Sequence, residues 1–341
     1  MPESLLTLPK VELHVHLEGT ISPELLIALA HRHGVDLGAR RGLPPEELYR
    51  FADFQEFLRL FADVCAALRE PQDYGVLAAG YARTAAAEGV RYAEVFISPS
   101  VWTYFHRDLD VRAGVEEIRA AFDQEERRSG LVVRMIADLT RNFGPERGAQ
   151  TLALADSLRD LGVVGIGLGG DERRFPARDF TAVFLRAKEL GLHTVAHAGE
   201  AEAAWSVRDA VELLGAERIG HGVSAVEDPS VVALLLERGV AVEVCPTSNE
   251  RTGAWRPKTP HPLVALDRAG VPVVIDSDDP ALFGTTLINE YARVAEMTSP
   301  EAVRRFARNA VARSFADEPL KRTLLASIDA HAGESTDTAK G

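Results

Sequence analysis

Two histidines, His14 and His16, lie two residues apart in the apolar run Val11–Leu17. In an extended strand successive side chains alternate between faces, so both imidazoles leave the same side of the strand, about 6–7 Å apart along it. Imidazole is a common ligand for zinc and similar metals, and two of them on one rigid strand form half of a mononuclear metal site. The same spacing also suits two exposed or hydrogen-bonded histidines, so the pair needs partners elsewhere in the chain.

Other residues of ligand type follow predicted strands later in the chain. His197 and Glu200 come at the end of one apolar run, and His221 ends the next. Asp278 and Asp279 follow the last such run. Three imidazoles and one carboxylate make a zinc site with a further position open to water, which is the arrangement of a catalytic site. Such a metal lowers the pKa of a bound water towards about 7 and supplies a nucleophile without serine or cysteine.

The carboxylates of this set carry separate expectations. Asp278 is the best candidate for the carboxylate ligand. It stands beside Asp279, and the two carboxylates would repel each other unless a cation neutralises one of them. Glu200 comes shortly after His197 and can reach a substrate atom just beyond the metal, where a protonated carboxyl acts as a general acid. The backbone around Gly170 lacks Cβ atoms, so it can approach a planar ligand closely.

Short runs rich in β-branched residues alternate with amphipathic helical segments along the chain. This alternation implies parallel strands joined by helical crossovers, and eight such units favour a closed (β/α)8 TIM barrel, an α/β fold, over an open sheet. Barrel enzymes carry their chemistry at the C-terminal ends of the strands, where the residues above fall. The predicted strands are Val11–Leu17, Arg91–Ser98, Val132–Thr140, Val163–Gly169, His193–Ala198, Arg218–Gly222, Ala241–Cys245 and Pro272–Ser277.

Two departures from an ideal barrel are expected. Residues 36–73 add a helical insertion after the first strand, with a stripe of phenylalanines that either packs in the core or forms a wall or lid over a pocket. Extra helices follow the last strand. We therefore expect a single domain over residues 1–332 and a polar, disordered tail at 333–341.

The bulk composition limits the environment and the partners of the protein. With 38 basic against 51 acidic residues the formal charge is −13, and no cluster of Lys and Arg suits nucleic acid. Cys65 and Cys245 are too few for a disulfide framework, and the N-terminus lacks a signal-peptide pattern. Since no apolar stretch is long enough to span a membrane, we expect a cytoplasmic protein whose partner is a small molecule.

Six motifs occur in a fixed order: PKVELHVHLEGT at 9–20, GLGGDE at 167–172, HAGE at 197–200, RIGHG at 218–222, CPTSN at 245–249 and SDDPALF at 277–283. Together they resemble the adenosine/adenine deaminase family of the amidohydrolase superfamily, from about Leu8 to Phe315. The resemblance implies a (β/α)8 barrel and one zinc ion (Zn2+) per chain. The implied ligands of that ion are His14, His16, His197 and Asp278.

The resemblance also implies how a purine is held and converted. Glu200 would protonate purine N1, while His221 and Asp279 position and activate the water. The water would add to C6 and ammonia would leave, so the implied activity is a hydrolytic deamination of a 6-aminopurine, and the backbone of Gly170 would face N3. The residues implied to contact the substrate are His16, Glu18, Gly170 and Asp279.

The identity of the 6-aminopurine stays open at this point. Glu18 stands where nucleoside-specific members usually have Asp, which binds the ribose 5′-hydroxyl; this departure favours free adenine or a 5′-modified nucleoside such as aminodeoxyfutalosine. Gly170 to Glu172 and Gly220 stand where adenine deaminases usually have a Ser-Glu pair and Asp, which favours a nucleoside. We expect an adenine nucleoside, with free adenine as the alternative. The aromatic residues that either pack on a large 5′ group or simply pack in their loop are Trp102, Tyr104 and Phe105.

Two other classes fit the sequence less well. GIGLGG at 165–170 matches the dinucleotide fingerprint G-x-G-x-x-G. These glycines lie in a predicted strand and at its end rather than in a turn that leads directly into a helix, which disfavours an NAD-dependent oxidoreductase. Cys245-Pro246 is not followed by the second cysteine of the cytidine-deaminase signature, which disfavours that class of zinc enzyme.

Overall fold

A parallel barrel forms the centre of the computed structural model, which describes residues 3–337. The eight strands pair in sequence order from the first to the last, every pair parallel, which confirms the predicted (β/α)8 barrel. The strands are β1 (Lys10–His16), β2 (Val90–Ile97), β3 (Val132–Thr140), β4 (Val163–Gly169), β5 (His193–Ala198), β6 (Arg218–His221), β7 (Ala241–Val244) and β8 (Val273–Ile275).

The barrel closes where the chain leaving β8 returns to β1. Val15 forms a parallel bridge with Asp278. The His16 N–H donates to the carbonyl of Asp278 at 2.8 Å, and the Asp278 N–H donates to the carbonyl of His14 at 3.0 Å. The Asp276 carboxylate also accepts from the His14 N–H at 3.1 Å. The seam of the barrel therefore fixes the backbone of the histidine pair.

Helices cover the outside of the barrel and connect successive strands. A π-helical turn at Ala210–Leu214 continues α10. No helix of residues 3–337 combines the length and the apolar character that a membrane span requires. The helices are α1 (Glu3–Thr7), α2 (Pro23–His33), α3 (Pro45–Leu48), α4 (Phe54–Ala67), α5 (Pro71–Ala87), α6 (Pro99–Phe105), α7 (Val111–Ser129), α8 (Gly144–Ser157), α9 (Thr181–Glu189), α10 (Ala204–Asp209), α11 (Pro229–Arg238), α12 (Pro246–Arg251), α13 (Pro262–Ala269), α14 (Pro280–Phe283), α15 (Leu287–Met297), α16 (Pro300–Arg313) and α17 (Glu318–Asp337).

The helical insertion after the first strand is built around α4. Asp53 caps the helix, because its carboxylate accepts a hydrogen bond from the Glu56 N–H at 2.9 Å. One face of α4 buries Leu60 and Val64 in the core. Phe61, next to that face, reaches the top of the barrel, where its ring centroid lies 6.1 Å from that of His16. The insertion therefore reaches the C-terminal face, where barrel enzymes carry their active sites.

The helices after β8 complete the fold and close the base of the barrel. Phe315, which follows α16, stacks on the ring of His193 at a centroid distance of 3.8 Å and also lies under the guanidinium of Arg218. The last helix, α17, continues to Asp337, into the segment 333–341 that the sequence predicts to be disordered. A helix extends readily once nucleated, because each added residue contributes one hydrogen bond. Residues 338–341 lie outside the described part of the chain.

Candidate active site

Four potential metal ligands converge at the C-terminal end of the barrel. His14 and His16 come from β1, His197 from β5, and Asp278 from the seam between β8 and β1. Asp278 Oδ1 lies 3.4 Å from His14 Nε2 and 3.5 Å from His16 Nε2, and the Nε2 atoms of His16 and His197 are 3.1 Å apart. Tetrahedral ligands at zinc distances are about 3.3 Å from one another. These three separations are close to that value, and ligand atoms of His14, His197 and Asp278 lie within 4.8 Å of one another.

In His14 and His197 the ring nitrogen that points away from the site has a hydrogen-bond partner, and this partner determines the tautomer of the ring. His14 Nδ1 lies 2.8 Å from Glu243 Oε2, and His197 Nδ1 lies 3.1 Å from the carbonyl of Leu168. Both partners are acceptors, so each Nδ1 carries the proton and each Nε2 presents a lone pair to the site. The buried His14 Nε2 has no hydrogen-bond partner. Both rings are thus held in the tautomer that a metal ligand requires.

His221 lies close enough to be a fourth imidazole ligand, since one of its nitrogens falls within 4.8 Å of ligand atoms of His14, His197 and Asp278. Unlike in His14 and His197, the partner of Nδ1 in His221 is a donor: Asn249 Nδ2 lies 3.1 Å from it. Nδ1 must therefore accept, which places the proton of the neutral ring on Nε2, facing the site. This tautomer suits a hydrogen-bond donor rather than a metal ligand.

Burial keeps most of these imidazoles neutral. Burial lowers the pKa of His16 to about 3 and that of His221 to about 4, and it lowers the pKa of His197 well below its ordinary value. His14 differs, because hydrogen bonds and charge from Asp278 and Glu243 outweigh its burial and raise its pKa well above the ordinary value. The carboxylates around His14 thus favour a positive charge at this point, which a divalent cation supplies when it binds.

A buried ion-pair chain lies beneath His14 inside the barrel. Glu243, which accepts from His14, is also paired through its other oxygen with the Nε of Arg218. Arg218 in turn pairs with Glu94 at 2.5 Å. All three charged side chains are at most 1% exposed. The sequence reasoning missed this chain, although Glu243 and Glu94 interrupt apolar strands and thereby gave a signal.

The two neighbouring aspartates hold different protonation states. Burial alone would raise the pKa of Asp278, but hydrogen bonding and charge from His14 hold it well below its ordinary value. Burial and the adjacent Asp278 charge raise the pKa of Asp279 well above its ordinary value. These opposite pKa shifts favour the ionised form of Asp278 and the protonated form of Asp279. This difference relieves the repulsion that the sequence pattern implied.

The backbone at this end of the barrel is strained at two site residues. Within residues 3–337, His221 with φ 63° and Asp278 with φ 65° are the non-glycine residues at positive φ. Such conformations cost about 1–3 kcal/mol each and persist where the surrounding structure enforces them, typically at active sites. Glycines provide the necessary room: a Cβ on Gly220 would lie 2.6 Å from His14 Cε1, and one on Gly19 would lie 1.9 Å from Asp279 Oδ1.

Glu200 faces the cavity from the loop after β5. Burial, together with the charges of Asp278 and Glu172, raises its pKa to about 8, so it holds a proton at neutral pH. Its Oε2 lies 3.5 Å from His221 Nε2. The Glu172 carboxylate holds this loop, because it accepts from the N–H groups of Gly199 at 2.6 Å and of Ala201 at 2.7 Å. Sequence reasoning used the glycines of the GLGGDE motif but missed this function of its glutamate.

A cavity of about 1040 Å³, counted to its open mouth, connects these groups to solvent. Its inner end carries His16, His197, His221, Glu200 and the two aspartates Asp278 and Asp279, so the structure brings the predicted residues together. Its outer part is mainly apolar and aromatic. The residues of that outer wall are Phe54, Phe57, Leu58, Phe61 and Ala62 of α4, Val101, Tyr104 and Phe105 of α6, and Phe143.

Glu18 lies behind the cavity wall and is absent from the residues that line it. Its carboxylate accepts hydrogen bonds from Trp102 Nε1 at 2.6 Å and from the Ser98 N–H at 2.9 Å, and the side chain is fully buried. Trp102 is also fully buried, whereas Tyr104 and Phe105 reach the cavity. The carboxylate of Glu18 is therefore engaged by the protein at the place where a direct substrate contact was expected.

Gly170 does line the cavity, with φ 102°. A Cβ at this position would lie 2.5 Å from Asn142 Oδ1, so both the conformation and the space require glycine. Asn142 Oδ1 also accepts from the Asp171 N–H at 2.9 Å, which holds the backbone that follows. The backbone of Gly170 is thus open to a flat ligand, as the glycine run predicted.

Comparisons with known proteins agree with this geometry. The family model "Adenosine deaminase" matches residues 9–331. An aminodeoxyfutalosine deaminase of Acidothermus cellulolyticus is 39% identical over 307 residues, which cover 87% of this chain and 85% of that protein. An adenine deaminase of Streptomyces coelicolor is 38% identical over 333 residues, which cover 96% of this chain and 97% of that protein.

Solved structures show the same relationship. The crystal structure of an adenine deaminase from Arthrobacter aurescens superposes with a TM-score of 0.87 at 33% identity, and the alignment covers 98% of this chain and 100% of that one. The barrel and the extent of the match therefore agree with the sequence resemblance over essentially the whole chain.

Proposed function

This chain belongs to the adenosine deaminase family and is a hydrolytic deaminase, and we propose that it removes the 6-amino group of an adenine nucleoside that carries a 5′ substituent. The observation that carries the proposal is the single cavity in which Glu200, the histidine and aspartate cluster and a set of aromatic side chains meet. The products would be the 6-oxopurine nucleoside and ammonia.

The residues that would hold the metal are His14, His16, His197 and Asp278. Their ligand atoms have the separations of a zinc site, and two of the rings are oriented by outer hydrogen bonds as ligands. A zinc ion bound there would supply Lewis acidity that activates a water molecule for attack.

Side chains of the protein supply the proton transfers. Glu200 donates its proton to purine N1, which makes C6 more electrophilic when the water adds to it. His221 donates a hydrogen bond from Nε2 to the incoming water and orients it towards C6. As the water oxygen bonds to C6 and the C6–N6 bond breaks, the two water protons are released: one passes to N6, so that the amino group leaves as ammonia, and the other restores the proton that Glu200 gave to N1.

Two further groups hold the purine in its plane. Asp279, whose pKa burial and the adjacent Asp278 charge raise, would donate a hydrogen bond to N7, and the backbone of Gly170 would face N3. With Glu200 at N1, three points on the rim of the base are fixed, which places C6 at the histidine and aspartate cluster. Orientation of this kind is a large part of catalysis, because it converts a bimolecular encounter into a fixed geometry.

The outer chamber supports a substrate larger than the base. Aromatic side chains of α4 and α6 line the same cavity as the polar groups that would hold the purine. A 5′ substituent with apolar surface would bury against Phe57, Tyr104 and Phe105. One Glu18 oxygen accepts from Trp102, the other, Oε2, is buried without a hydrogen-bond partner, and Glu18 does not line the cavity where a 5′-hydroxyl would lie. The relative from Acidothermus, named for aminodeoxyfutalosine, supports the same substrate class.

Free adenine is the second candidate, because the relative from Streptomyces and the structure from Arthrobacter are named adenine deaminases. Ammonia release from the purified, zinc-loaded enzyme tests both candidates against adenine, adenosine, methylthioadenosine and aminodeoxyfutalosine. We expect the highest kcat/KM for a 5′-modified nucleoside. A higher kcat/KM for adenine than for every nucleoside would replace the proposal with the second candidate, and no ammonia from any of them would refute both.

A further inference from the structure

Asp138, on β3, is a buried carboxyl in the active-site cavity that the mechanism above does not use. It lines the cavity beside Gly169, Gly170 and His197 and is 5% exposed. Its Oδ1 is buried without a hydrogen-bond partner. Since a buried polar atom without a partner is costly, Oδ1 is available to a ligand that enters the cavity.

Two glycines of β4 make the space that this carboxyl occupies. In the strand register Asp138 lies opposite Gly167, and Thr140 lies opposite Gly169. A Cβ on Gly167 would lie 2.6 Å from Asp138 Oδ1, and one on Gly169 would lie 2.5 Å from Oδ2. The glycine run that resembles a dinucleotide fingerprint therefore forms a recess fitted to a carboxyl group, which no alanine would permit.

The order of strands around the barrel indicates which part of the substrate faces Asp138. In the proposed pose N1 faces Glu200 after β5, N3 faces Gly170 after β4, and N7 faces Asp279 after β8. Around the rim of a purine, N9 lies between N3 and N7. Around the barrel, β3, β2 and β1 lie between β4 and β8. The sugar attached at N9 must therefore lie against β3 to β1, and β3 adjoins its N3 side.

We propose that Asp138 is a specificity-determining residue that binds the ribose 2′-hydroxyl of the substrate. In the anti conformation of a purine nucleoside this hydroxyl lies on the N3 side of the base, which is the side of β3. A hydroxyl both donates and accepts, so it pairs with the carboxyl in either protonation state. This inference rests on the proposed deamination and on its pose, and it names the sugar contact that Glu18 does not supply.

The test compares adenosine with 2′-deoxyadenosine, which differ only in that hydroxyl. We expect the wild-type enzyme to favour adenosine in kcat/KM by at least about tenfold. Asp138→Ala should lower kcat/KM for adenosine by about 10- to 100-fold and leave the value for 2′-deoxyadenosine within about threefold, because only the former loses a hydrogen bond. Asp138→Asn should retain part of the preference, since its amide oxygen still accepts.

Asp276→Asn is the matched control. It alters a buried carboxyl that binds the β1 backbone but does not line the cavity, so it should change both substrates by the same factor. Equal losses on both substrates in Asp138→Ala, or a wild-type enzyme without preference, would overturn the inference.

A wild-type enzyme that deaminates neither adenosine nor 2′-deoxyadenosine would not bear on the activity proposed for 5′-substituted nucleosides, which the comparison of substrates above tests separately. Calorimetric binding of inosine and 2′-deoxyinosine would then decide the role of Asp138. Tighter binding of inosine that Asp138→Ala abolishes would support the inference, and equal affinities would refute it.

Discussion

Replacing Glu243 by glutamine should loosen the metal site without touching a ligand. Glu243 accepts a hydrogen bond from His14 Nδ1 at 2.8 Å with one oxygen, and its other oxygen pairs with Arg218. Glutamine has the same shape but only one accepting oxygen, so its NH2 group must face one of these two donors. His14 then either loses its partner or turns, and its Nε2 no longer points steadily into the site.

The magnitude follows from the contacts that are lost. A hydrogen bond to a charged group contributes about 1.5–3 kcal/mol, which corresponds to roughly 10- to 100-fold in zinc affinity and matches the usual effect of outer-sphere partners. The variant should also unfold more easily, by about 3 kcal/mol, because the fully buried Arg218 keeps only Glu94 as a counter-charge.

Zinc affinity is measured by competition with a chromogenic chelator, and stability by urea unfolding of the metal-free protein. Glu94→Gln is the matched control. It weakens the other ion pair of Arg218, and Glu94 does not contact His14. It should lose a similar amount of stability and keep zinc affinity within about threefold. Equal losses of zinc affinity in both variants, or unchanged affinity in Glu243→Gln, would refute the orienting role of Glu243.

Three further predictions concern single residues. Glu200→Gln should retain one zinc per chain by elemental analysis yet lower kcat by about 10²- to 10⁴-fold, because the amide cannot protonate N1; near wild-type turnover would exclude the acid role. Asp278→Ala should lose zinc and activity together, and full zinc occupancy would contradict its assignment as a ligand. Glu12→Gln tests a buried carboxyl outside the metal shell. Burial raises the pKa of Glu12 from 4.5 to about 7, so the native state holds a proton that the unfolded chain releases. The stability from this group is therefore complete below about pH 4.5 and is lost as pH rises to about 7. Glutamine is always neutral, so the free energy of unfolding of the variant should rise relative to that of the wild type by about 3 kcal/mol between pH 4.5 and pH 8 in urea titrations. A difference that does not change with pH would contradict the shift.

The residue types and their local periodicities were sufficient to predict the fold and to nominate the residues of the candidate site. The two-residue spacing of His14 and His16 and the alternation of strands with helices depend only on neighbours along the chain. Strand ends of a parallel barrel meet on one face, so His197 and Asp278 could be assigned to the same site before their distances were known. The structure places their ligand atoms about as far apart as a zinc site requires.

Only the tertiary structure determined the tautomer, the hydrogen-bond partners and the accessibility of each group in the site. The tautomer of His14 depends on Glu243, which is 229 residues away in the chain, and that of His221 depends on Asn249 of another loop. The motif predicted Glu18 as a substrate contact, and the structure adds that one of its carboxylate oxygens accepts from Trp102. A sequence pattern gives the chemical type of each side chain and the face of the strand or helix on which it lies. Protonation, hydrogen-bond partners and access depend on groups that folding brings together from distant parts of the chain.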